Sequence, residues 1–241
     1  MKLSPVRRVL TKVRAPRALL TSAIALMLAI GAPLAGSTAN AVGQAPSLGT
    51  AANFALLAGT AVTCTGATII GNVGVFPASS ITQTSCAVTG TLDPADTVAA
   101  QAHDDFALAY TQFAALPCDV GLANLLTQTL APGVYCFDAA ATSTGNILTL
   151  DGPSDGIWIF KIGILGTGAL TGTGFSVVMG GNGQACNVYW HVADAATMTD
   201  SNLVGTVLAG AAITQTRGTF HGRALASAGV TITGTAVNAC N

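Results

Sequence analysis

The last third of the chain repeats short segments at a fixed interval. A strand-like run of five residues recurs every 17 positions, at 188–192, 205–209 and 222–226. A run with the pattern Thr-x-Thr follows each of them at the same interval, at 196–199, 213–216 and 230–233. A unit of about 17 residues is too short for a helical repeat and fits one coil of a β-solenoid, with three short strands and three corners. The interval therefore predicts a stack of such coils.

The N-terminal part carries the same unit. The tetrapeptide Ile-Thr-Gln-Thr occurs at 81–84 and again at 213–216. A related run at 62–65 follows Ala58 at the distance by which 213–216 follows Ala209. Both copies of the tetrapeptide are therefore predicted to occupy the same position in the coil, although they lie far apart in the chain.

Two columns of Thr follow from this alignment. Side chains alternate between the two faces of a strand. The first position of each Thr-x-Thr run is apolar, so it points inward and both Thr side chains point outward. The segment 165–169 aligns as a weaker member, with Ala169 in place of the second Thr. The first predicted column holds Thr63, Thr82, Thr167, Thr197, Thr214 and Thr231, and the second holds Thr65, Thr84, Thr199, Thr216 and Thr233.

The residue between the two Thr residues of a run should also point inward. Cys64, Met198 and Ile232 suit an interior position, whereas Gln83 and Gln215 do not. A Gln side chain near a corner can hydrogen-bond to the backbone of the turn, which is one interpretation of these two positions.

The predicted columns form a flat lattice of methyl and hydroxyl groups. Stacked strands lie about 4.7–4.9 Å apart, and residues i and i+2 on one face lie about 6.5–6.8 Å apart. Thr is a good strand residue, so a single Thr-x-Thr run has a purely structural interpretation. A solvated face normally carries charged side chains, however, and neither column contains Lys, Arg or Glu. Five full copies in register therefore favour a binding function.

The first 41 residues have the pattern of a secretory signal peptide. A basic segment with six of the nine Lys and Arg residues precedes an apolar run at 18–35, and 39–41 has the form of a cleavage site. We therefore expect a signal peptide at 1–41 and a secreted, extracellular domain at 42–241. The Arg pair at 7–8 leaves twin-arginine export open as an alternative to the general pathway.

The composition after residue 41 limits the possible partners. Three basic residues remain against ten Asp, and the chain has no Glu. This balance predicts no nucleic-acid partner, and no membrane partner once the signal peptide is removed. An uncleaved membrane anchor is the less favoured alternative, because Gly31 and Pro33 interrupt the apolar run. The abundance of Gly, Ala, Thr, Val and Ile favours short β-strands joined by tight turns.

One helix is predicted, at about 94–116. Asp93 is its predicted N-cap and Pro94 its first residue, and Pro117 ends it. His103, Asp104 and Asp105 are predicted to face solvent. An apolar stripe at helical spacing is formed by Val98, Ala102, Phe106, Ala109 and Phe113. The face of the solenoid that carries Thr206, Leu208, Arg223 and Leu225 is expected to lie under this helix.

Six short segments together resemble a known family. They match in order and spacing over residues 48–241, and none is specific alone. With these segments the chain resembles the secreted ice-binding proteins of the DUF3494 type, found in bacteria, fungi and diatoms. The matching segments are 48–59, 71–75, 130–135, 157–162, 185–192 and 222–226.

The resemblance implies a mostly β fold: a discontinuous right-handed β-helix of triangular section. One long helix packs alongside it, and N-terminal strands insert among later coils. It also implies antifreeze activity, as thermal hysteresis or inhibition of ice recrystallisation. A monomer would adsorb to ice and its ordered water through a flat Thr-rich face, without a cofactor or metal.

The six Cys residues are expected to form three disulfides in an exported chain. Fifteen pairings are open from sequence. We expect the pairs Cys64–Cys86, Cys118–Cys136 and Cys186–Cys240.

Two other functions use the same fold. Some β-helices are polysaccharide lyases or hydrolases, but these need clustered carboxylates, and the Asp residues here are predicted mostly in turns or in the helix. We therefore expect no enzyme activity. The alternative is a cell-surface adhesin or matrix module that uses the same flat face. Sugar binding would favour exposed aromatic rings, whereas Trp158 and Trp190 lie in strands predicted to be buried.

Overall fold

The structure, a computed structural model, describes residues 43–240, so the predicted signal peptide lies outside the described residues. Nearly all regular structure is β. Helix α1 spans Thr97–Ala115, and short 3-10 turns span Gly49–Asn53 and Ala185–Asn187. The strands are β1 (Phe54–Ala58), β2 (Ala61–Thr65), β3 (Thr68–Ile70), β4 (Asn72–Val75), β5 (Ser80–Thr84), β6 (Ala87–Val88), β7 (Leu92–Pro94), β8 (Val120–Gly121), β9 (Gln128–Leu130), β10 (Gly133–Phe137), β11 (Ala141–Thr144), β12 (Ile147–Gly152), β13 (Trp158–Ile162), β14 (Leu170–Thr173), β15 (Ser176–Gly181), β16 (Val188–Val192), β17 (Ala196–Ala209), β18 (Ile213–Ala226), β19 (Val230–Thr233) and β20 (Ala236–Asn238).

The strands stack in parallel on three faces, as a β-helix requires. The helix face has the order β7–β4–β1–β18–β17–β16–β13–β10–β8. The threonine face has the order β5–β2–β19–β18–β17–β14–β11. The third face has the order β6–β3–β20–β18–β17–β15–β12–β9. Strands β17 and β18 turn two corners each and contribute to all three faces.

The order of coils in space differs from their order in the chain. β1 pairs with β18 as well as with β4, and β2 pairs with β19. The N-terminal coils therefore stack on the last coil, and the β-helix is discontinuous, as the resemblance implies. These coils form one end of the stack beyond β19, so the expectation that they lie among the later coils is wrong.

Helix α1 carries the chain back towards the other end of the stack. Its 19 residues extend about 28 Å at about 1.5 Å per residue. It begins beside β7, and at its C-terminal end Lys161 of β13 donates a hydrogen bond to the Leu116 carbonyl. These two strands are six positions apart on the helix face, or about 29 Å at about 4.8 Å per strand. The helix therefore matches the distance it covers. No helix within residues 43–240 is both long and apolar enough to cross a bilayer.

The helix packs through a stripe that differs by one residue from the prediction. Val98 is 55% exposed, and Ala99 takes its place, because helical spacing from the other four members leads to Ala99. Leu208 and Leu225 pack against the helix, which confirms that their face lies under it. The buried stripe consists of Ala99, Ala102, Phe106, Ala109 and Phe113.

The helix also begins later than predicted. Asp93 and Pro94 lie in β7, where they pair with Gly74 and Val75, so the predicted N-cap is wrong. Asp96 is the N-cap instead, and its carboxylate accepts a hydrogen bond from the Ala99 amide at 2.8 Å. The backbone pairing of β7 with β4 therefore decides where the helix can start. Its end just before Pro117 is as predicted.

Two of the three residues predicted to face solvent on the helix have contacts. Asp105 accepts hydrogen bonds from the amide and the hydroxyl of Thr50, at 2.6 and 2.7 Å, and these bonds hold the pKa of its carboxyl below the usual value. His103 lies near the rings of Phe76 and Phe106, and burial lowers its pKa. Of the three, Asp104 alone is exposed, as predicted.

The interior between the three faces is mostly aliphatic and contains a stack of aromatic rings from successive coils. Tyr135, Phe160 and Trp190 stack with centroid distances of 5.5 and 4.1 Å. Trp158 and Trp190 are fully buried, as predicted, and their indole N–H groups donate to the carbonyls of Leu130 and Val204 at 3.0 and 2.9 Å. Parallel stacking therefore places like side chains above one another and keeps their polar atoms bonded.

Three disulfides join parts of the chain that backbone pairing leaves weakly attached. They confirm the expected pairs, with Cα–Cα distances of 5.4–5.8 Å. Cys64–Cys86 joins β2 to the terminal coil. Cys118–Cys136 joins the segment after the helix to β10, and Cys186–Cys240 joins the chain after β20 to the turn before β16.

A buried basic pair lies beneath the C-terminal part of the helix. Lys161 and His191 occupy paired positions on β13 and β16, and the Tyr110 ring lies 4.3 Å from the His191 ring. Neither ring nitrogen of His191 has a hydrogen-bond partner within the described chain. Burial, and secondarily the charge of Lys161, lowers the pKa of His191 to about 4.

Replacing the observed N-cap should destabilise the protein measurably. The Asp96→Ala variant loses the bond to the Ala99 amide, and we expect a loss of about 1 kcal/mol in the free energy of unfolding. Asp104→Ala removes a carboxylate without a cap role and should change stability by less than about 0.5 kcal/mol. Denaturant unfolding measures both, and equal losses would contradict the assignment of the cap.

Stability should fall as the pH falls from about 6.5 to about 4. In this window the unfolded chain binds a proton at His191 that the folded chain excludes, because the folded pKa lies below the unfolded one. The loss should be roughly 1–3 kcal/mol at most. His191→Phe should reduce this pH dependence, whereas exposed His221→Gln should preserve it. Unfolding followed by circular dichroism at each pH tests this, and equal slopes in all three proteins would contradict it.

Candidate functional site

The threonine face carries seven Thr-x-Thr rungs in continuous register. Each strand of this face contributes two Thr side chains, and each pairs with a Thr on the neighbouring strand. None of these side chains is buried. The first column is Thr82, Thr63, Thr231, Thr214, Thr197, Thr171 and Thr142, and the second is Thr84, Thr65, Thr233, Thr216, Thr199, Thr173 and Thr144.

The predicted columns are correct except at one member. Thr167 lies in the exposed loop before β14, so its placement in a column is wrong. The rung of that coil is formed by Thr171 and Thr173 instead. The next rung, Thr142 and Thr144, is absent from the prediction.

The 17-residue interval does not hold in this part of the chain, and a longer turn accounts for the misplacement of Thr167. The step between neighbouring rungs is 17 residues from Thr197 to Thr214, but 26 from Thr171 to Thr197 and 29 from Thr142 to Thr171. The turn between β13 and β14 has seven residues, whereas the turn between β16 and β17 has three, so the first Thr of the rung after β13 lies four positions later than in the next coil. A search for Thr-x-Thr after each buried strand, without a fixed interval, would have found both rungs.

The two copies of Ile-Thr-Gln-Thr occupy the same slot but treat their Gln differently. Gln215 lies in the fourth of the seven rungs and is 1% exposed. Its amide donates to the carbonyls of Ser201 and Arg217 at 3.1 and 2.9 Å, so it binds the backbone of the corner, as one interpretation of the sequence proposed. Gln83 lies in the terminal rung, where no further coil covers it, and is exposed.

Every rung ends at a residue in the left-handed backbone conformation. Only Gly adopts it readily, and four of the seven positions are Gly. Because each strand turns at the same place, the columns end along a straight edge. These residues are Ser85, Gly66, Gly234, Arg217, Asp200, Gly174 and Gly145, with φ between 50° and 66°.

The threonine face has no charged side chain in its columns, and the nearest charges neutralise each other. Arg217 and Asp200 occupy neighbouring corner positions and form a two-point ion pair with distances of 2.5 and 2.7 Å. The hydrogen bond from Arg217 lowers the pKa of the Asp200 carboxyl. Methyl and hydroxyl groups therefore cover a neutral, regular surface, which suits a neutral partner with a regular structure.

One group of side chains within residues 43–240 has a spacing suitable for a metal ion: Cys186, His221 and Cys240. The two Cys residues form a disulfide, so neither sulfur is a thiolate able to bind a metal. This cluster lies away from the threonine face, beside the third face.

The chain is similar to proteins that bind ice. The profile of the family described as ice-binding-like matches residues 56–238. An ice-binding protein of Nostoc sp. (strain HG1) is 40% identical over 227 residues, which cover 90% of this chain and 82% of the relative. The ice-binding protein K3-B1 of Typhula ishikariensis is 32% identical over 209 residues, which cover 75% of this chain and 84% of the relative.

Solved structures give the same result for the fold. The crystal structure of an ice-binding protein from the Antarctic ascomycete Antarctomyces psychrotrophicus superposes with a TM-score of 0.75 at 34% identity, covering 82% of this chain and all of the other. The ice-binding protein LeIBP from an Arctic yeast superposes with a TM-score of 0.75 at 27% identity, covering 82% of this chain and 95% of the other.

An Ala side chain at a corner should destabilise the coil through the backbone alone. Gly66 has a φ of +58°, and a Cβ atom there would meet no other atom within 4 Å. We expect Gly66→Ala to lower the free energy of unfolding by about 1 kcal/mol. Gly121→Ala is the matched control, because that position is equally open and outside the left-handed region. If the midpoint of thermal unfolding falls equally in both variants, the left-handed conformation is not the reason why Gly stabilises the corner.

Proposed function

Because the chain belongs to the ice-binding-like family, we propose that it binds ice through the threonine face. The observation that carries the proposal is the continuous register of fourteen Thr side chains in seven uncharged rungs. The strand spacings of about 4.8 Å and about 6.7 Å repeat across the face, as binding to a crystal lattice requires.

The proposed mechanism is adsorption. Thr methyl groups restrict the water above the face, and the hydroxyl groups between them hydrogen-bond to it, so a layer of ordered water forms that can join the ice lattice. Each contact is weak, but fourteen act together. The backbone ladders, the corners and the buried Gln215 amide hold the side chains in place before binding, so little ordering entropy is lost. The ice surface between adsorbed protein molecules would then have to curve strongly in order to grow. This curvature opposes growth, which gives thermal hysteresis and inhibits recrystallisation.

The relatives are named ice-binding proteins and not enzymes. An adhesin that binds sugars through the same face would need aromatic rings there, and both Trp side chains are buried in the interior. No observation within the described residues favours that alternative over ice.

We also propose that the protein is exported and acts as a monomer outside the cell. The pattern at 1–41 and the expected cleavage site support export. Three disulfides with no free Cys among residues 43–240 suit an oxidising compartment. A monomer presents the whole threonine face to ice.

A bulky side chain in the middle of the threonine face should nearly abolish ice activity. Thr214 lies in the fourth of the seven rungs, so a Tyr there lifts the surface away from a flat ice plane on both sides. We expect Thr214→Tyr to remove nearly all thermal hysteresis and recrystallisation inhibition and to leave the melting temperature of the protein almost unchanged.

The matched control is Thr111→Tyr, which places the same ring at an exposed position of the helix. It should retain wild-type activity. The proposal would be contradicted if the mature wild-type protein neither shaped ice crystals nor inhibited their growth. A fully active Thr214→Tyr variant would contradict it as well.

A further inference from the structure

The row of side chains beneath the helix changes character towards the C-terminal end of the helix. Backbone pairing places one residue of each coil in this row, and three neighbouring members, Leu57, Leu225 and Leu208, are apolar. The next two members are His191 and Lys161. Apolar side chains could be buried at these two positions as well, so packing against the helix does not account for the two bases.

The two bases are buried without a counter-ion. Lys161 is 5% exposed and His191 is 7% exposed. Among residues 43–240, neither forms an ion pair with a carboxylate. Asp194 lies in the turn after β16, where its carboxylate accepts a hydrogen bond from the Gly168 amide at 2.8 Å. Burying a cation without an opposite charge is costly, and an anion beside it would offset part of that cost.

The protein satisfies the hydrogen bonds of these two side chains only in part. Lys161 donates one of its three ammonium N–H groups to the Leu116 carbonyl at the end of the helix. Neither ring nitrogen of His191 has a partner among the described residues. Capping of the helix therefore explains the Lys side chain but gives His191 no role.

Both bases line a cavity that opens to solvent. The cavity has a volume of about 240 Å³ and lies between the C-terminal part of the helix and the loop after β13. The Tyr110 hydroxyl donates to the Val192 carbonyl at 3.0 Å, and the Tyr110 ring lies 4.3 Å from the His191 ring, so this ring forms a fixed wall. The exposed residues Ala114 and Ile164 lie at the mouth of the cavity.

The remaining walls of the cavity are apolar, and none of its lining side chains is acidic. Ile164 is 41% exposed, and Leu165 beside it is 78% exposed, so apolar surface continues outside the mouth. A cavity of about 150 Å³ holds benzene, so the volume here admits a ligand of about ten non-hydrogen atoms at most. These walls favour an anion with a short apolar part over an inorganic anion.

We propose that this cavity binds a small monocarboxylate with a short apolar tail. One carboxylate oxygen accepts a hydrogen bond from the Lys161 ammonium group, and the other accepts one from a ring N–H of His191. The tail lies against Ile164 at the mouth. The site is on the helix face, so it is separate from the threonine face and does not depend on the proposed function.

The test follows the imidazole signal of His191 by NMR at about pH 7, with butyrate as the probe. His191→Phe identifies the signal by its loss. Butyramide has the shape of butyrate without the charge, and chloride has the charge without the tail. We expect butyrate to shift the signal saturably with a dissociation constant of about 1 mM, and the other two to bind at least about tenfold more weakly.

Two variants test the site in different ways. Lys161→Met removes the charge and keeps most of the apolar stem. Ala114→Phe places a ring across the mouth without changing any charge. Both should weaken butyrate binding about tenfold or more. Ala115→Phe is the matched control, because residue 115 is also exposed on the helix but does not line the cavity, and it should bind butyrate as the wild type does.

Thermal unfolding shows whether each variant is folded. If Lys161→Met loosens the end of the helix, Ala114→Phe still tests the site, because it leaves the bond to the Leu116 carbonyl in place. The proposal is overturned if butyrate causes no saturable shift, if butyramide or chloride binds as tightly as butyrate, or if Ala114→Phe binds butyrate like the wild type. Thermal hysteresis of Ala114→Phe should equal that of the wild type, since the threonine face is unchanged.

Discussion

Each coil of this protein is held by parallel backbone hydrogen bonds to its neighbours, on both sides within the stack and on one side at its two ends. The critical pairing is the one that crosses the chain order, where β19 pairs with β2 and β18 pairs with β1. Without it the N-terminal coils would pair only with each other, and the threonine face would lose the two rungs of β2 and β5. This pairing joins segments far apart in sequence, so loop closure opposes it, and the long helix and the disulfides offset that cost.

The helix makes this arrangement possible. It has the length needed to return the chain along the helix face. Its apolar stripe covers the side chains of Leu208 and Leu225, which would otherwise be exposed to water. The same cover leaves one of the three faces unavailable for binding. The threonine face and the third face remain open. The molecule thus separates its stabilising contacts, on the helix face and in the core, from its regular outer surfaces.

Much of the fold and most of the candidate site could be predicted from the sequence, because the signals involved are local. Alternation along a strand made the outward direction of Thr214 and Thr216 readable. The predictions failed where non-local pairing decides. The helix begins at Thr97 because β7 continues its ladder with β4 through Pro94. Thr167 was misplaced because a fixed interval cannot detect the four extra residues in the turn between β13 and β14.

The repeated Ile-Thr-Gln-Thr shows both sides of this division. The sequence by itself determined that each copy is a strand with two outward Thr side chains, because alternation is a property of the strand alone. Only the tertiary structure decided that one Gln is buried and binds the backbone of a corner while the other is exposed, because that depends on whether a further coil covers the rung. The order of the coils and the two added rungs were decided in the same way, by hydrogen bonds between segments that sequence spacing does not relate.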